Sequence, residues 1–458
     1  MTPTPRFRPP LDPDFLPASL WNRAFRQACG PDPRPFAIAL ERGGGAVSVF
    51  RTCVTRHDSA LNQRYAERLL KFLLWQKGGY RITVAGDDQL AAYLRAVYSP
   101  TGARSFDYDF MGERVYGHPM EIHSALYDAV PEEREAAAPL GRHLEGCRIG
   151  FDLGASDRKC AAVVDGKVVF SDEVPWNPSA QSDPQYHFDG IDDSLRRAAA
   201  HLPRVDAIGG SAAGVYVDNE VRIGSLYRSV PRELFDTRVH RLFFELQKKW
   251  GGIPFDVVND GEVTALAGSM ALDDGAVLGV AMGSSLAAGY VTPRGAITSW
   301  LNELAFVPVD YRDGAPADEW SGDPGVGAQY FSQQAVGRLL PAAGIDLPKD
   351  MPLPVKLEEV QKLAAAGDAR AMRIYETIGV YFGYNIATYA DFYEIRNLLV
   401  LGRVMTGVGG DRILAIAREL LQAEFPELAE RLRFHIPDEK EKRHGQAIAA
   451  ASLPAIPA

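Results

Sequence analysis

Asn259 and Asp260 close the apolar run Phe255-Asp256-Val257-Val258, which places a carboxylate at the end of a buried strand. Such a carboxylate can accept the proton of a hydroxyl as its oxygen attacks phosphorus, with Asn259 fixing the hydroxyl. The same Asp reads equally as an N-cap, because helical spacing follows from Glu262 to Leu272. Three small-residue turns accompany it. In Asp152-Leu153-Gly154-Ala155-Ser156-Asp157, Gly154 and its neighbours let backbone N–H groups approach an anion. Asp152 can hold magnesium through water, and Arg158 or Lys159 can add positive charge. In Gly283-Ser284-Ser285-Leu286-Ala287-Ala288-Gly289, both serines can donate to phosphate oxygens. The run from Gly402-Arg403 to Gly409-Gly410-Asp411 leads from a strand into a helix, whose N-terminus favours an anion or a nucleotide. Each turn alone also reads as an ordinary hairpin or loop cap. Together they point to phosphoryl transfer to a hydroxyl.

The elements that must position these residues are two α/β halves. From Cys147 the order is strand, turn, strand, then helices alternating with the strands Asp206–Ser211 and Phe255–Val258. From Ala276 the logic repeats, ending with a strand at Asn397–Leu401 and a helix expected from Asp411 to Glu424. This pattern predicts an internally duplicated α/β fold with a cleft between lobes. Residues 1–35 read as a Pro-rich arm and residues 36–145 as an accessory α/β domain of unknown role. The accessory domain holds a hairpin around Gly43-Gly44-Gly45, a helix from Tyr65 to Gln76 stopped by Gly78-Gly79, and a second helix capped at Asp87-Asp88. It ends in the acidic, Ala-rich stretch Pro131 to Leu140. The two lobes are expected over 146–260 and 261–458.

Composition sets outer limits. A chain of 458 residues carries 49 Lys and Arg against 59 Asp and Glu, a net charge of −10, which does not point to nucleic acid as a partner. No apolar stretch approaches the roughly 20 residues of a membrane span. The start of the chain lacks a signal-peptide core, and Cys29, Cys53, Cys147 and Cys160 are scattered, so a reduced, cytoplasmic protein is expected.

The order of these motifs resembles the ROK family (repressors, open reading frames and kinases) of the actin-like sugar kinases. The likeness runs from about Arg148 to Ala451. Asp152 to Ser156 is similar to the family's DxGxT turn, and Ile208 to Gly214 to its IGxxxxG strand beside the sugar. Asn259-Asp260 resembles its substrate-and-base pair, Gly283 to Gly289 its GTGxGxG loop, and Gly445 to Ala450 its closing helix. The resemblance implies a duplicated actin-like, ribonuclease-H-like two-lobe fold with an extra N-terminal α/β domain. It implies Asp260 as general base, and Asn259, Glu303, Gly210 and Ser211 at the sugar or polyol. ATP and Mg2+ are then held by Asp152, Gly154, Ser156, Lys159, Gly283, Ser284, Ser285, Gly402 and Arg403. A homodimer is implied by the same analogy.

The chain departs from the family at Ser285, Ala287 and Ala288, which stand at glycine positions of the GTGxGxG loop, and more extensively in one later region. Asn302-Glu303-Leu304-Ala305-Phe306 resembles GExGH with Phe306 in place of the histidine, and Glu319 to Ala328 stands where the family has CxCGxxGCxE. With three cysteines and the histidine gone, no zinc is expected, since a structural site needs about four ligands. A changed acceptor follows, with Asp318, Glu319 or Trp320 as possible new partners. Some ROK proteins are transcription factors with an N-terminal helix–turn–helix, so a non-catalytic sugar sensor or pseudokinase is the competing reading. The helix–strand–helix order over Tyr65–Tyr98, with Asp87-Asp88 at the second helix, opposes DNA binding.

Overall fold

The structure is a computed structural model that describes residues 3–135, 140–437 and 439–457. Residues 136–139 of the Pro131–Leu140 stretch lie outside the described residues. Three main sheets are built in chain order. The first has β1 (Arg34–Glu41), β2 (Val47–Val54), β3 (Arg81–Ala85) and β4 (Glu121–Ala125) in the order β2-β1-β3-β4. The second joins β5 (Cys147–Leu153), β6 (Asp157–Val164), β7 (Lys167–Pro175) and β8 (Ala207–Ala212) to a later strand, β11 (Phe255–Asn259). Between β8 and β11 lies a ribbon of β9 (Val215–Val217) and β10 (Glu220–Ile223). The third sheet has β12 (Val277–Met282), β13 (Leu286–Val291), β14 (Asn397–Leu401) and β15 (Arg433–His435).

The second sheet runs β11-β8-β5-β6-β7, with β5 parallel to β8 and antiparallel to β6. The third runs β13-β12-β14-β15, again with a hairpin beside a parallel pair. Each lobe is therefore an antiparallel hairpin extended by parallel strands. This common plan places Asp152 and Ser211 at the C-terminal ends of neighbouring strands, with Asn259 closing β11.

Glycines set how closely the layers approach. A Cβ on Gly150 or Gly209 would strike the backbone of Ala447 or Ala450, so the Glu439–Ala451 helix lies flush on β5 and β8. The last helix of the chain thus crosses back to cover the first lobe. Gly261 and Gly289 meet in the same way, bringing the Asp260–Leu272 helix onto β13.

The structure changes two expectations. Residues 1–35 are more than an arm, because they contain an 11-residue helix, Ala18–Ala28. Its Trp21 and Phe25 are buried and stack with Tyr65. The helix expected from Asp411 starts at Gly407. Its glycines, read as a turn, are its first residues, because Gly409 lies against the Tyr375 ring and Gly410 against the Met405 carbonyl with no room for a side chain. No described helix is long and apolar enough to cross a membrane.

Candidate active site

Asn259 and Asp260 stand where β11 turns into a helix. Asn259 is the cap: its Oδ1 accepts from the Gly261 N–H at 2.8 Å, while its Nδ2 donates to the Gly214 carbonyl at 2.7 Å. Both contacts orient the turn, and Asp260 is left as the first helical residue. Its Oδ1 accepts from its neighbour's N–H at 2.9 Å. Burial, and then the negative charge of Asp152, push the Asp260 carboxyl up to about 6, while the Gly261 N–H works against the shift. The cap role falls to Asn259, which leaves the Asp260 side chain out of it.

Asp152 faces this corner from β5. Ser211, opposite it on β8, donates to Oδ1 at 2.7 Å, and Lys159 stands 3.8 Å from Oδ2. Burial raises the Asp152 carboxyl above its ordinary range despite both partners. Lys159 lies closer to Asp157, at 3.1 Å. Glu303 reaches the same corner from the loop after β13. Among the described residues no protein donor reaches its carboxylate, and burial, then Asp260, lift it to about 7. Glu262, two residues beyond Asp260, is fully enclosed and raised to about 8 by burial, against hydrogen bonds from Asn302 and the Tyr290 N–H.

Asn259, Glu262 and Glu303 line a cavity of about 1390 Å³, and Asp260 adjoins it in sequence through Asn259. Its opposite wall is Arg42 and the Gly43–Gly45 turn of the β1–β2 hairpin, with Arg134 and Glu135. Arg42 is tied to Glu135 at 2.6 Å, and Trp300 donates to the same carboxylate at 2.9 Å.

Four of the groups expected at the site have other neighbours in the structure. Gly210 is covered on its Cβ side by the ring of Phe151, which a side chain there would strike. Ser211 is buried and donates its hydroxyl to Asp152. Arg403 is ion-paired to Glu358 at 2.6 Å, with both side chains exposed. The Asp318–Trp320 segment turns from the cavity: Asp318 accepts from its own turn at Trp320 and Ser321, and Trp320 packs edge-on against Phe106 and Phe110.

The other turns lie as a pair. Ser284 and Ser285 are exposed at the tip of the β12–β13 hairpin. Gly402, at φ 105°, sits against the Met282 backbone, so the C-terminal end of β14 and the serine turn lie at one end of the third sheet. Gly154 turns β5 into β6, its N–H donating to the Asp157 carbonyl at 2.9 Å, with Ser156 exposed beside it.

Glu262, Asn302 and the Gly43–Gly45 wall were not singled out from sequence. Glu262 did carry a signal, since Asn259-x-x-Glu262 has capping-box spacing. The signal names the wrong role, because the carboxylate turns to Asn302 and not to the cap.

No family model and no curated protein matches the sequence. Among solved structures the chain is similar to a ROK hexokinase from Thermus thermophilus, with 19% identity over 66% of this chain and 97% of that one, at a TM-score of 0.53. It is also similar to a ROK family transcriptional regulator, a homologue of the E. coli MLC protein, with 18% identity, 68% and 79% coverage and a TM-score of 0.54. The chain has the ROK fold. At such identities the likeness is one of architecture, and that architecture hosts both a kinase and a regulator. The likeness covers about two thirds of this chain.

Proposed function

We propose that the protein transfers the γ-phosphoryl group of ATP to a hydroxyl of a sugar or related polyol, with Asp260 as general base, and that it belongs to the ROK kinases. The observation that carries this reading is Asp260 itself. It is a carboxylate poised near neutrality, at a helix start, beside Asp152 and Glu303 and between the two lobes of a kinase-type fold. Asp260 takes the proton of the acceptor hydroxyl as that oxygen forms its bond to phosphorus and the bond to the leaving diphosphate breaks. Glu303 accepts from further hydroxyls, and Asn259 keeps the turn in register.

Asp152 fits a magnesium ion reached through water, because Ser211 occupies one oxygen and the other meets only the distant Lys159. Among the described residues no group of three or more His, Cys, Asp or Glu is disposed to hold a metal. Magnesium kept mostly by waters and phosphates does not require one. When bound it neutralises charge developing on the phosphoryl oxygens. The exposed hydroxyls of Ser284 and Ser285, the Gly154–Ser156 turn and the uncapped Gly407 helix start are the groups suited to phosphates.

The regulator sharing this fold supports a second reading, a sugar sensor without turnover. A coupled ATP-turnover screen over sugars, aminosugars and inositols, with Asp260→Asn in parallel, separates the two. Turnover of a compound that disappears in the variant establishes the kinase and names its acceptor. Sugar binding by calorimetry without turnover establishes the sensor.

A further inference from the structure

We propose that the Ser59–Lys77 helix of the N-terminal accessory segment is the positioning element for Glu303, with Lys71 and Asn302 as positioning residues. The inference rests on the acceptor-site reading above. The last carbonyls of any helix lack partners within it. Here the Trp75 carbonyl accepts from the Glu303 N–H at 2.9 Å, and the Gln76 carbonyl from the Asn302 N–H at 3.0 Å. The backbone of Glu303 is therefore attached to the end of an accessory helix.

Asn302 holds the other sides of that attachment. It is fully buried at φ 50°, a left-handed conformation that Asn adopts more readily than most residues. Its Nδ2 donates to Glu262 at 2.5 Å, and it accepts from the Tyr393 hydroxyl at 2.7 Å. Three bodies thus converge on one peptide: the accessory helix, the helix that begins with Asp260, and the second lobe. Among the described residues no protein donor reaches the Glu303 carboxylate, so its aim depends on this backbone.

The accessory helix is in turn locked to the loop that follows. Lys71, one turn before Trp75, is wholly buried between Asp107 at 2.9 Å and Asp323 at 2.5 Å. Arg104 joins Asp323 to Glu67, and Trp75 donates to Asp107 at 2.7 Å. Burial pushes the Asp323 carboxyl up, but Lys71 and Arg104 outweigh it and hold it low. Phe306, at the position where the ROK pattern has histidine, packs on Trp75 with ring centroids 4.4 Å apart. Buried charges of this kind contribute little net stability, and their best-attested role is to select one register. The register selected here is that of the helix against the Asn302–Asp323 region.

The test uses the full chain with Lys71→Met and Asn302→Gly. Lys71→Met leaves the buried Asp107 carboxylate without its cation, while Asp323 keeps Arg104, and the variant can fail to fold. Asn302→Gly keeps the φ and the backbone bond while deleting both side-chain ties. Hydrogen exchange is followed in a peptide spanning residues 301–306, with acceptor KM and kcat at saturating ATP. Exchange in that peptide is expected to rise about tenfold in each folded variant, with β14 unchanged. KM should rise about tenfold while kcat stays within about threefold, the pattern of lost acceptor binding. Unchanged KM in a folded variant, or unchanged exchange at 301–306, overturns the proposal. A wild type that binds a sugar without turnover instead defeats the kinase reading, and the same tenfold loss is then read as Kd.

Discussion

Burial raises the carboxyls of Asp260, Asp152 and Glu303, with the charge of Asp152 adding to the shift at Asp260 and that of Asp260 to the shift at Glu303, and this makes pH the most direct probe of the site. Asp260 must be ionised to accept a proton, so kcat/KM is expected to rise with pH through about 6 and then level. Because the charge of Asp152 contributes to that shift, Asp152→Asn should move the inflection downward, whatever its effect on rate. An inflection that stays in place would show that Asp260 does not titrate beside Asp152. Asp260→Asn should lower kcat by about 10²–10⁴-fold while acceptor affinity survives, measured by turnover and calorimetry. Glu262 tests stability instead. Its folded value of about 8 exceeds the unfolded 4.5, so the folded state holds the extra proton and stability falls as pH rises through that window. Glu262→Gln should flatten the decline in melting temperature between pH 5 and 8, a window set by those two values. Asn259 and Asp260 were legible in sequence because strand end, cap and helix start are contiguous. Asn302 was not, because what gives it a role is a contact with Glu262, on a helix distant in the chain.

Elements were legible where a local period names them and misread where a neighbour decides. The strand–turn–strand units at Asp152 and Ser284 follow from alternation and small-residue turns alone. The Gly407 helix start does not, since glycines near a helix start are a turn signal unless packing demands them. The same demand gives a test at Gly209. A methyl group there meets the Ala450 carbonyl, so Gly209→Ala should displace the closing helix and cost about 1–3 kcal/mol, read as a lower urea midpoint. A midpoint equal to wild type would mean that the Glu439–Ala451 helix does not lie on β8.

At the scale of the molecule, the accessory segment and the second lobe share one hydrophobic core. Phe36, Leu70 and Trp75 belong to the same buried cluster as Leu278, Tyr330 and Tyr389, and Phe72 stacks on Phe392 at 3.8 Å. An appended domain with its own core would melt separately. These two are expected to unfold together, with tryptophan fluorescence and far-ultraviolet dichroism tracing one transition for the Trp75-containing unit. Trp75→Ala should lower its stability by about 3–5 kcal/mol. Two resolved transitions, only one of them sensitive to Trp75→Ala, would contradict a shared core.

The linear sequence by itself determined the two-lobed α/β plan, the strand-end carboxylates and the small-residue turns. All of these depend on hydrogen bonding and periodicity within a few residues. Only the tertiary structure decided that Ser211 serves Asp152, that Trp320 faces the accessory segment, and that this segment forms a wall of the cavity and grips the backbone of Glu303. Those outcomes depend on which groups become each other's neighbours once water is excluded, and contacts between residues hundreds of positions apart leave no period in the chain.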